Sequence, residues 1–282
     1  MDKLKILLVT GEVAIEHDYR DINKNLLKLI ESTGRFDVRV TEAFKGSTIE
    51  TLRDYDAVFL NYDGKELPSD KVYKRWGETT EAAFFQYISE GGGVAIYHSS
   101  VWLDESLPDM FKKLWGIYLT NQSGARRMPK GDFIMKVMAE SPITEGLEKE
   151  IFIVNDDLFA GVSQHPEAQV EVLAAVYDEI DNYRVPGFPP PHHPVVMPGG
   201  KLENLPGVNT DQPVCWTNRY GEGRVFAHSL GHDMDTLRRI PYMVMLLRGL
   251  EWAATGKVTL GPPDRTGQNR LSKWPYYGGV GK

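Results

Sequence analysis

The sequence predicts an α/β protein in which a mainly parallel sheet carries helices on both faces. Between residues 5 and 97, short apolar runs alternate with segments of helical spacing, which is typical of right-handed crossovers between parallel strands. The chain has 282 residues, of which 41% are hydrophobic, enough to bury one large core around such a sheet. We therefore expect a single domain over residues 1–258, followed by a tail over residues 259–282.

Four strands and three helices are predicted in the amino-terminal part. Apolar runs predict strands at residues 5–9, 36–40, 56–60 and 94–97. Apolar residues with helical spacing predict helices at residues 21–32, 49–53 and 79–90. Gly34 and the triplet Gly91-Gly92-Gly93 follow two of these helices, at positions where glycine commonly ends a helix. The strand after the triplet leads into His98, on which the functional prediction is centred.

The middle of the chain has a different character. A helix is predicted at residues 108–115, and the strand patterns at residues 132–138, 151–154 and 170–176 have no long helices between them, which indicates an antiparallel extension. Residues 184–212 are rich in proline and glycine and contain His192-His193, so we expect a long ordered loop or lid there. Strands at residues 213–217 and 224–228 and an apolar helix at residues 240–254 complete the domain.

Composition excludes several classes of function. The formal net charge of −7 argues against a nucleic-acid partner, which needs a surface of clustered lysine and arginine. The single cysteine, Cys215, excludes an intrachain disulfide and a zinc site built from thiolates. The apolar run at residues 6–9 is too short for a signal peptide or a membrane span. We therefore expect a cytoplasmic protein that does not bind a membrane.

Polar side chains cluster at the ends of three predicted strands. These ends are Thr10-Gly11-Glu12 with His17 nearby, His98-Ser99-Ser100, and the stretch from His228 to Asp233. Because the carboxyl ends of parallel strands meet at one edge of a sheet, imidazoles far apart in sequence are expected to converge there. Asp156 and Asp157, after the run at residues 151–154, can supply a general base or accept a sugar hydroxyl. The alternatives are loop histidines that hydrogen-bond to backbone and an ordinary acidic turn.

Three other kinds of site are disfavoured by the spacing. His228 and His232 are four residues apart, but they follow a strand and Gly231 separates them, so the helical metal-ligand geometry is not implied. We assign no metal ligands and predict no cofactor, with a divalent metal as the open alternative. Ser99 lacks the Gly-x-Ser-x-Gly pattern of a hydrolase elbow. The glycine triplet precedes a strand, whereas a dinucleotide fingerprint follows one.

Several motifs in order along the chain resemble a known family. They are Val9-Thr10-Gly11 with His17, residues 34–38, residues 91–98, Asn155-Asp156-Asp157-Leu158-Phe159 and residues 221–233. Together they resemble the ThuA-like (trehalose utilization) family. The resemblance implies a flavodoxin-like sheet with an added antiparallel part, similar to class I glutamine amidotransferases. It also implies a role in carbohydrate metabolism, notably the catabolism of trehalose-type disaccharides alongside sugar-oxidising dehydrogenases.

Two departures limit what the resemblance implies. In the amidotransferases the turn after the equivalent strand holds a nucleophilic cysteine, whereas this chain has Tyr97-His98-Ser99 there and Cys215 in another strand. A cysteine-dependent glutaminase is therefore disfavoured. Where the family typically shows Asp-Glu-Leu-Tyr, this chain has Asp156-Asp157-Leu158-Phe159.

We expect an enzyme that acts on a sugar or a keto-sugar or glycoside by isomerisation, elimination or hydrolysis. His98 is the general acid or base, His232 or His228 is its partner, and Asp157 holds a hydroxyl or orients a histidine. The remaining predicted substrate-binding residues are Gly11, Glu12, His17, Asn61, Ser99, Trp102, Asp156, His228 and Asp233. The alternatives are a non-catalytic sugar-binding or assembly protein and a metal-dependent hydrolase. A homodimer is expected from base rates and the aromatic tail.

Overall fold

A computed structural model describes residues 2–11, 19–65, 73–121, 125–184, 202–232 and 234–261. The strands are β1 Leu4–Val9, β2 Phe36–Thr41, β3 Ala57–Leu60, β4 Gly93–Tyr97, β5 Ile117–Tyr118, β6 Arg126–Arg127, β7 Gly131–Val137, β8 Glu150–Asp156, β9 Phe159–Ala160, β10 Ser163–Gln164, β11 Glu171–Tyr177, β12 Asp211–Tyr220 and β13 Gly223–His228. The α-helices are α1 Tyr19–Ser32, α2 Ile49–Leu52, α3 Glu78–Ser89, α4 Asp109–Trp115, α5 Met234–Leu237 and α6 Ile240–Thr255.

Nine of these strands form one mixed sheet in the order β2-β1-β3-β4-β13-β12-β11-β7-β8. The first five strands in that order are mutually parallel. Every pairing from β13 to β8 is antiparallel. The predicted α/β class with a mainly parallel sheet and an antiparallel extension is confirmed.

Strand direction decides which strand ends share an edge of the sheet. Because β12 and β7 are reversed, β11 and β8 run in the same direction as β4 and β13. The carboxyl ends of β4, β13 and β8 therefore lie at the same edge. The fold brings together turns that are widely separated along the chain.

Helices cover both faces of the sheet with apolar side chains. Helices α1 and α6 pack on one face, against strand residues such as Ile6, Leu8 and Phe226. Helices α3 and α4 pack on the other, against neighbours such as Leu7 and Val9. Side chains of adjacent strand residues thus point to opposite faces of the sheet and pack in two separate cores, as strand geometry requires. None of the described helices is long and apolar enough to cross a membrane.

Every predicted strand and helix is present, with ends shifted by at most three residues. The sequence did not predict the short strands β5, β6, β9 and β10 or helix α5, because they are too short to show a period. Strand β12 begins at Asp211, inside the predicted loop at residues 184–212. Residues 185–201 of that loop, including His192-His193, and residues 262–282 of the tail lie outside the described residues. The domain and tail boundaries stay predictions.

The glycine triplet lets strand β4 approach the end of helix α6. A Cβ built on Gly93 would lie 2.3 Å from the backbone oxygen of Ala253. The Arg224 side chain donates hydrogen bonds to the carbonyl oxygens of Ala253 at 2.8 Å and Gly91 at 2.9 Å. These contacts join the amino end of β4 to the carboxyl end of α6, whose last carbonyl groups would otherwise lack partners.

We expect Gly93→Ala to lower the free energy of unfolding by about 1–3 kcal/mol, because the added methyl group meets backbone atoms that cannot rotate away. Urea unfolding followed by circular dichroism measures the change. Gly131→Ala is the matched control, since its Cβ would have no neighbour nearer than 3.9 Å, and we expect a change within about 0.5 kcal/mol. Equal effects of the two substitutions would contradict the close approach.

Candidate functional site

The residue after strand β4 has an unusual backbone conformation. His98 has a φ of +45°, in the left-handed region that side chains other than glycine and asparagine rarely adopt. It begins a short 3-10 turn, His98–Val101. The hydroxyl of Ser100 accepts a 2.8 Å hydrogen bond from the Tyr62 backbone N–H, and the Ser99 hydroxyl donates one of 2.6 Å to Asp63. These bonds hold the turn in its strained conformation.

The His98 ring has a fixed proton position. Its Nδ1 lies 2.7 Å from the carbonyl oxygen of Ser229, which can only accept, so Nδ1 carries the proton. In the neutral ring, Nε2 is then unprotonated and can accept a hydrogen bond, and this atom lies 3.3 Å from Nδ1 of His232. Phe159 stacks on the imidazole with ring centroids 4.9 Å apart. The ring is therefore fixed in position and in tautomer.

Asp157 completes a three-residue group. One of its carboxylate oxygens lies 3.2 Å from Nδ1 of His232, and the other lies 3.9 Å from Nε2 of His98. The exposed fractions are 1% for His98, 6% for His232 and 0% for Asp157. We call these three residues the His98–Asp157–His232 cluster. Two imidazoles and a carboxylate at these distances can exchange a proton or share a cation.

Asp156 has a different role from its neighbour. Its carboxylate accepts hydrogen bonds from the backbone N–H groups of Gly231 at 2.9 Å, His232 at 3.1 Å and Asp157 at 2.8 Å. Burial, together with the charge of Asp157, raises the pKa of Asp156 to about 6. Asp156 thus ties the end of β8 to the turn after β13, and it places His232 beside Asp157.

Gly231 is needed for that turn to close. Its φ is +109°, and a Cβ there would lie 2.4 Å from the Tyr242 hydroxyl oxygen. The Tyr97 hydroxyl donates a hydrogen bond to the Gly231 carbonyl, and the Tyr242 hydroxyl donates one to Leu230. Two tyrosines therefore surround the turn that carries His232.

Other predicted residues line the same edge of the sheet. Asn61 donates to Asn23, which in turn donates to the Thr10 hydroxyl, at 2.7 Å and 2.9 Å. This series of hydrogen bonds links the residues that directly follow β1 and β3. Trp102 is partly exposed, donates to Asn121, and meets the Phe159 ring edge-on at 5.7 Å. Gly11, also partly exposed, lies two residues after the end of β1, whereas Glu12, His17 and Asp233 lie outside the described residues.

His228 is not part of the His98–Asp157–His232 cluster. It ends strand β13, is fully buried, and its ring centroid lies 4.5 Å from that of Tyr242 on α6. Within the described part of the chain, neither ring nitrogen has a hydrogen-bond partner. Burial lowers the pKa of His228 to about 3. The ring is therefore neutral in the folded protein at ordinary pH.

His228 should make the protein sensitive to acid. Its folded pKa lies below the unfolded value, so its contribution to stability is full above the unfolded pKa and is lost as pH falls toward the folded pKa. Relative to pH 7, we expect this loss to reach about 3 kcal/mol at pH 4. His228→Phe keeps a ring but removes the proton site. Urea unfolding at both pH values should show a smaller acid loss in the variant; equal losses would contradict this assignment.

Residues 5–253 match the sequence profile of the family described as ThuA, trehalose utilisation. The chain belongs to the ThuA family. A ThuA-like protein from Parabacteroides merdae is similar in structure, with a TM-score of 0.72 and 23% identity over 98% of this chain and 99% of that one. A ThuA-like protein from Bacteroides uniformis has a TM-score of 0.61 and 19% identity, over 92% and 94%. No curated protein matches the chain.

A third similar structure is a cytoplasmic protein from Salmonella typhimurium, with a TM-score of 0.52 and 11% identity over 89% of this chain and 99% of that one. At such identities the likeness shows the fold alone. It confirms the α/β architecture expected of a ThuA family member.

In this ThuA family chain, the turn after β4 holds His98 and no thiol. Cys215 lies in strand β12 and is fully buried, and burial raises the pKa of its thiol well above the usual value. A thiolate nucleophile is therefore disfavoured at this position. The sequence did not reveal the Ser229 carbonyl, the stacked Phe159 or the Ser99–Asp63 bond, because backbone direction and ring contacts leave no periodic signal.

Proposed function

We propose that this protein is an enzyme that acts on a sugar, keto-sugar or glycoside by proton transfer at the His98–Asp157–His232 cluster. One observation carries the proposal. The cluster places two imidazoles and a carboxylate within 3.9 Å of one another, with the His98 proton held on Nδ1. Such an arrangement provides a base, an acid and a charged group that orients them.

The tautomer of His98 fits the role of general base. Because Nδ1 donates to Ser229, Nε2 is the atom that can take a proton from a substrate carbon or hydroxyl. Asp157 stabilises the positive charge that appears on an imidazole after it takes the proton. A keto group makes the neighbouring C–H more acidic, so isomerisation or elimination of a keto-sugar needs little more than a positioned acid and base.

The carbohydrate part of the proposal has separate support. The family is described by trehalose utilisation. Trp102 is partly exposed and contacts Phe159, which stacks on His98, and an aromatic face such as that of Trp102 packs well on the apolar face of a sugar. The Ser99 hydroxyl oxygen can accept a hydrogen bond from a sugar hydroxyl while it donates to Asp63, whereas the Asn61 amide is buried and donates to Asn23.

A non-catalytic sugar-binding or assembly protein is the second candidate. Its support is the burial of the cluster, in which Asp157 is 0% exposed and His98 is 1% exposed. Buried polar groups at such a turn can simply hold the strand ends together. This candidate predicts stabilisation by a sugar without turnover.

We also propose that the protein works in the cytoplasm as a homodimer. The support for the location is that a structurally similar Salmonella protein is described as cytoplasmic. The support for the dimer is that two-fold homodimers are the commonest oligomers.

The test is turnover of a panel of disaccharides and keto-sugars, followed by product NMR. We expect His98→Asn to lower kcat/KM at least about 100-fold, because general acid–base groups contribute about 10²–10⁴-fold. Asparagine tolerates the left-handed backbone at this position, so the fold should survive, which circular dichroism and thermal unfolding check. His165→Gln is the control, since His165 pairs with Asp109 at another place.

Two results would contradict the proposed enzyme. Full activity in His98→Asn would remove the cluster from the reaction. Thermal stabilisation of the wild-type protein by a sugar, with no product from any member of the panel, would favour the non-catalytic candidate.

A further inference from the structure

We propose that the His98–Asp157–His232 cluster binds one divalent transition-metal cation, with ligand atoms His98 Nε2, His232 Nδ1 and a carboxylate oxygen of Asp157. The proposal goes beyond the proposed function and does not depend on it, because the site needs no sugar. The proposed site also differs from the pair His228 and His232, whose spacing in the sequence was considered for a metal. His228 takes no part, and the second imidazole comes from the turn after β4.

The distances between the three ligand atoms fit a metal centre. Zinc bonds of about 2.0–2.1 Å place neighbouring ligand atoms about 3.3–3.4 Å apart in a tetrahedron. In this protein, Nε2 of His98 lies 3.3 Å from Nδ1 of His232, which lies 3.2 Å from one carboxylate oxygen of Asp157. The other carboxylate oxygen of Asp157 lies 3.9 Å from Nε2 of His98. One ligand atom from each residue lies within 4.8 Å of the others.

The arrangement of protons also favours a cation. The bond from His98 Nδ1 to Ser229 leaves a lone pair on Nε2, and the ionised carboxylate of Asp157 only accepts hydrogen bonds. A single N–H at His232 Nδ1 would have to point at Asp157 and at His98, which lie at similar distances of 3.2 Å and 3.3 Å. A cation between the three atoms engages all three lone pairs at once.

The surroundings supply what metal-binding histidines usually need. A ligating histidine commonly donates its other ring N–H to a backbone carbonyl or a carboxylate, which fixes the ring and its tautomer. His98 makes that bond to Ser229 at 2.7 Å, and Asp156 holds the backbone of His232 at 3.1 Å. The carboxylate of Asp157 is fully buried, and its charged form carries a desolvation cost. A bound cation offsets that cost.

The donor set indicates the class of cation. Imidazole nitrogens suit Zn²⁺, Fe²⁺, Co²⁺ and Ni²⁺, whereas Mg²⁺ and Ca²⁺ prefer sites made only of oxygen. Three protein ligands leave at least one position for a further ligand, as in catalytic zinc sites. A cation there would polarise a carbonyl or hydroxyl oxygen of the substrate. With the cation bound, Nε2 of His98 would be a ligand and would not take a proton, so the cation and proton transfer at Nε2 are alternative uses of the cluster.

The test is metal binding by the full-length protein after chelator treatment and dialysis. Isothermal titration calorimetry with Zn²⁺, Mn²⁺ and Mg²⁺ measures stoichiometry and affinity, and Co²⁺ substitution gives a visible spectrum that reports nitrogen and oxygen ligands. We expect one Zn²⁺ per chain, bound more tightly than Mg²⁺. His98→Asn, Asp157→Asn and His232→Gln should each weaken zinc binding at least about tenfold. His165→Gln and His228→Phe are controls that should bind zinc like the wild-type protein.

The proposal is overturned if the stripped wild-type protein takes up no Zn²⁺ and its Co²⁺ spectrum stays that of the hydrated ion, a result that does not depend on any variant folding. It is also overturned if all three cluster variants bind zinc as tightly as the wild-type protein. Sugar turnover by stripped protein that takes up no Zn²⁺ would overturn this inference and leave the proposed function standing. Zinc binding by the cluster without turnover of any sugar would support this inference and contradict the proposed function.

Discussion

The structure of the site depends on the bonds from the Asp156 carboxylate to the backbone N–H groups of Gly231 and His232. Four strand spacings separate β13 from β8 in the sheet, which is about 19 Å in a flat sheet. The contacts of 2.9 Å and 3.1 Å join the end of β8 to the turn after β13, so the reach of that turn and the twist of the antiparallel extension together bridge this distance. The register shifts between β11 and β12 and between β7 and β8 provide the extra twist.

Coiling alone would bring the turns together without fixing their side chains. The left-handed backbone at His98 costs on the order of 1 kcal/mol, and it is maintained because the following two hydroxyl residues bond to Tyr62 and Asp63. The same turn directs the imidazole at the Ser229 carbonyl. The backbone strain at His98 is thus offset by hydrogen bonds to the turns that follow neighbouring strands. These bonds determine both the position and the tautomer of the His98 ring.

Sequence patterns were sufficient for the sheet and for part of the site. Apolar runs located every strand of the nine-stranded sheet, and the rule that parallel strands end at one edge predicted that His98 and His232 would meet. Their ring centroids lie 5.3 Å apart. The contact of Asp157 with the two histidines was harder to predict. It depends on how the sheet curves between β13 and β8, and this curvature leaves no periodic signal in the sequence. His228 was ambiguous for a different reason: its position at the end of β13 did not show which face its ring would take.

The cluster can act as a base or as a cation site because both uses need the same atoms. Fixing the proton of His98 on Nδ1 leaves one lone pair, on Nε2, and burial keeps that lone pair from water. Of the three residues, His232 has the largest exposed fraction, 6%, against 1% for His98 and 0% for Asp157. His232 is therefore the member of the cluster nearest to solvent. The buried carboxylate behind that imidazole holds the balancing negative charge, and its position is set by the fold and does not change with the ligand.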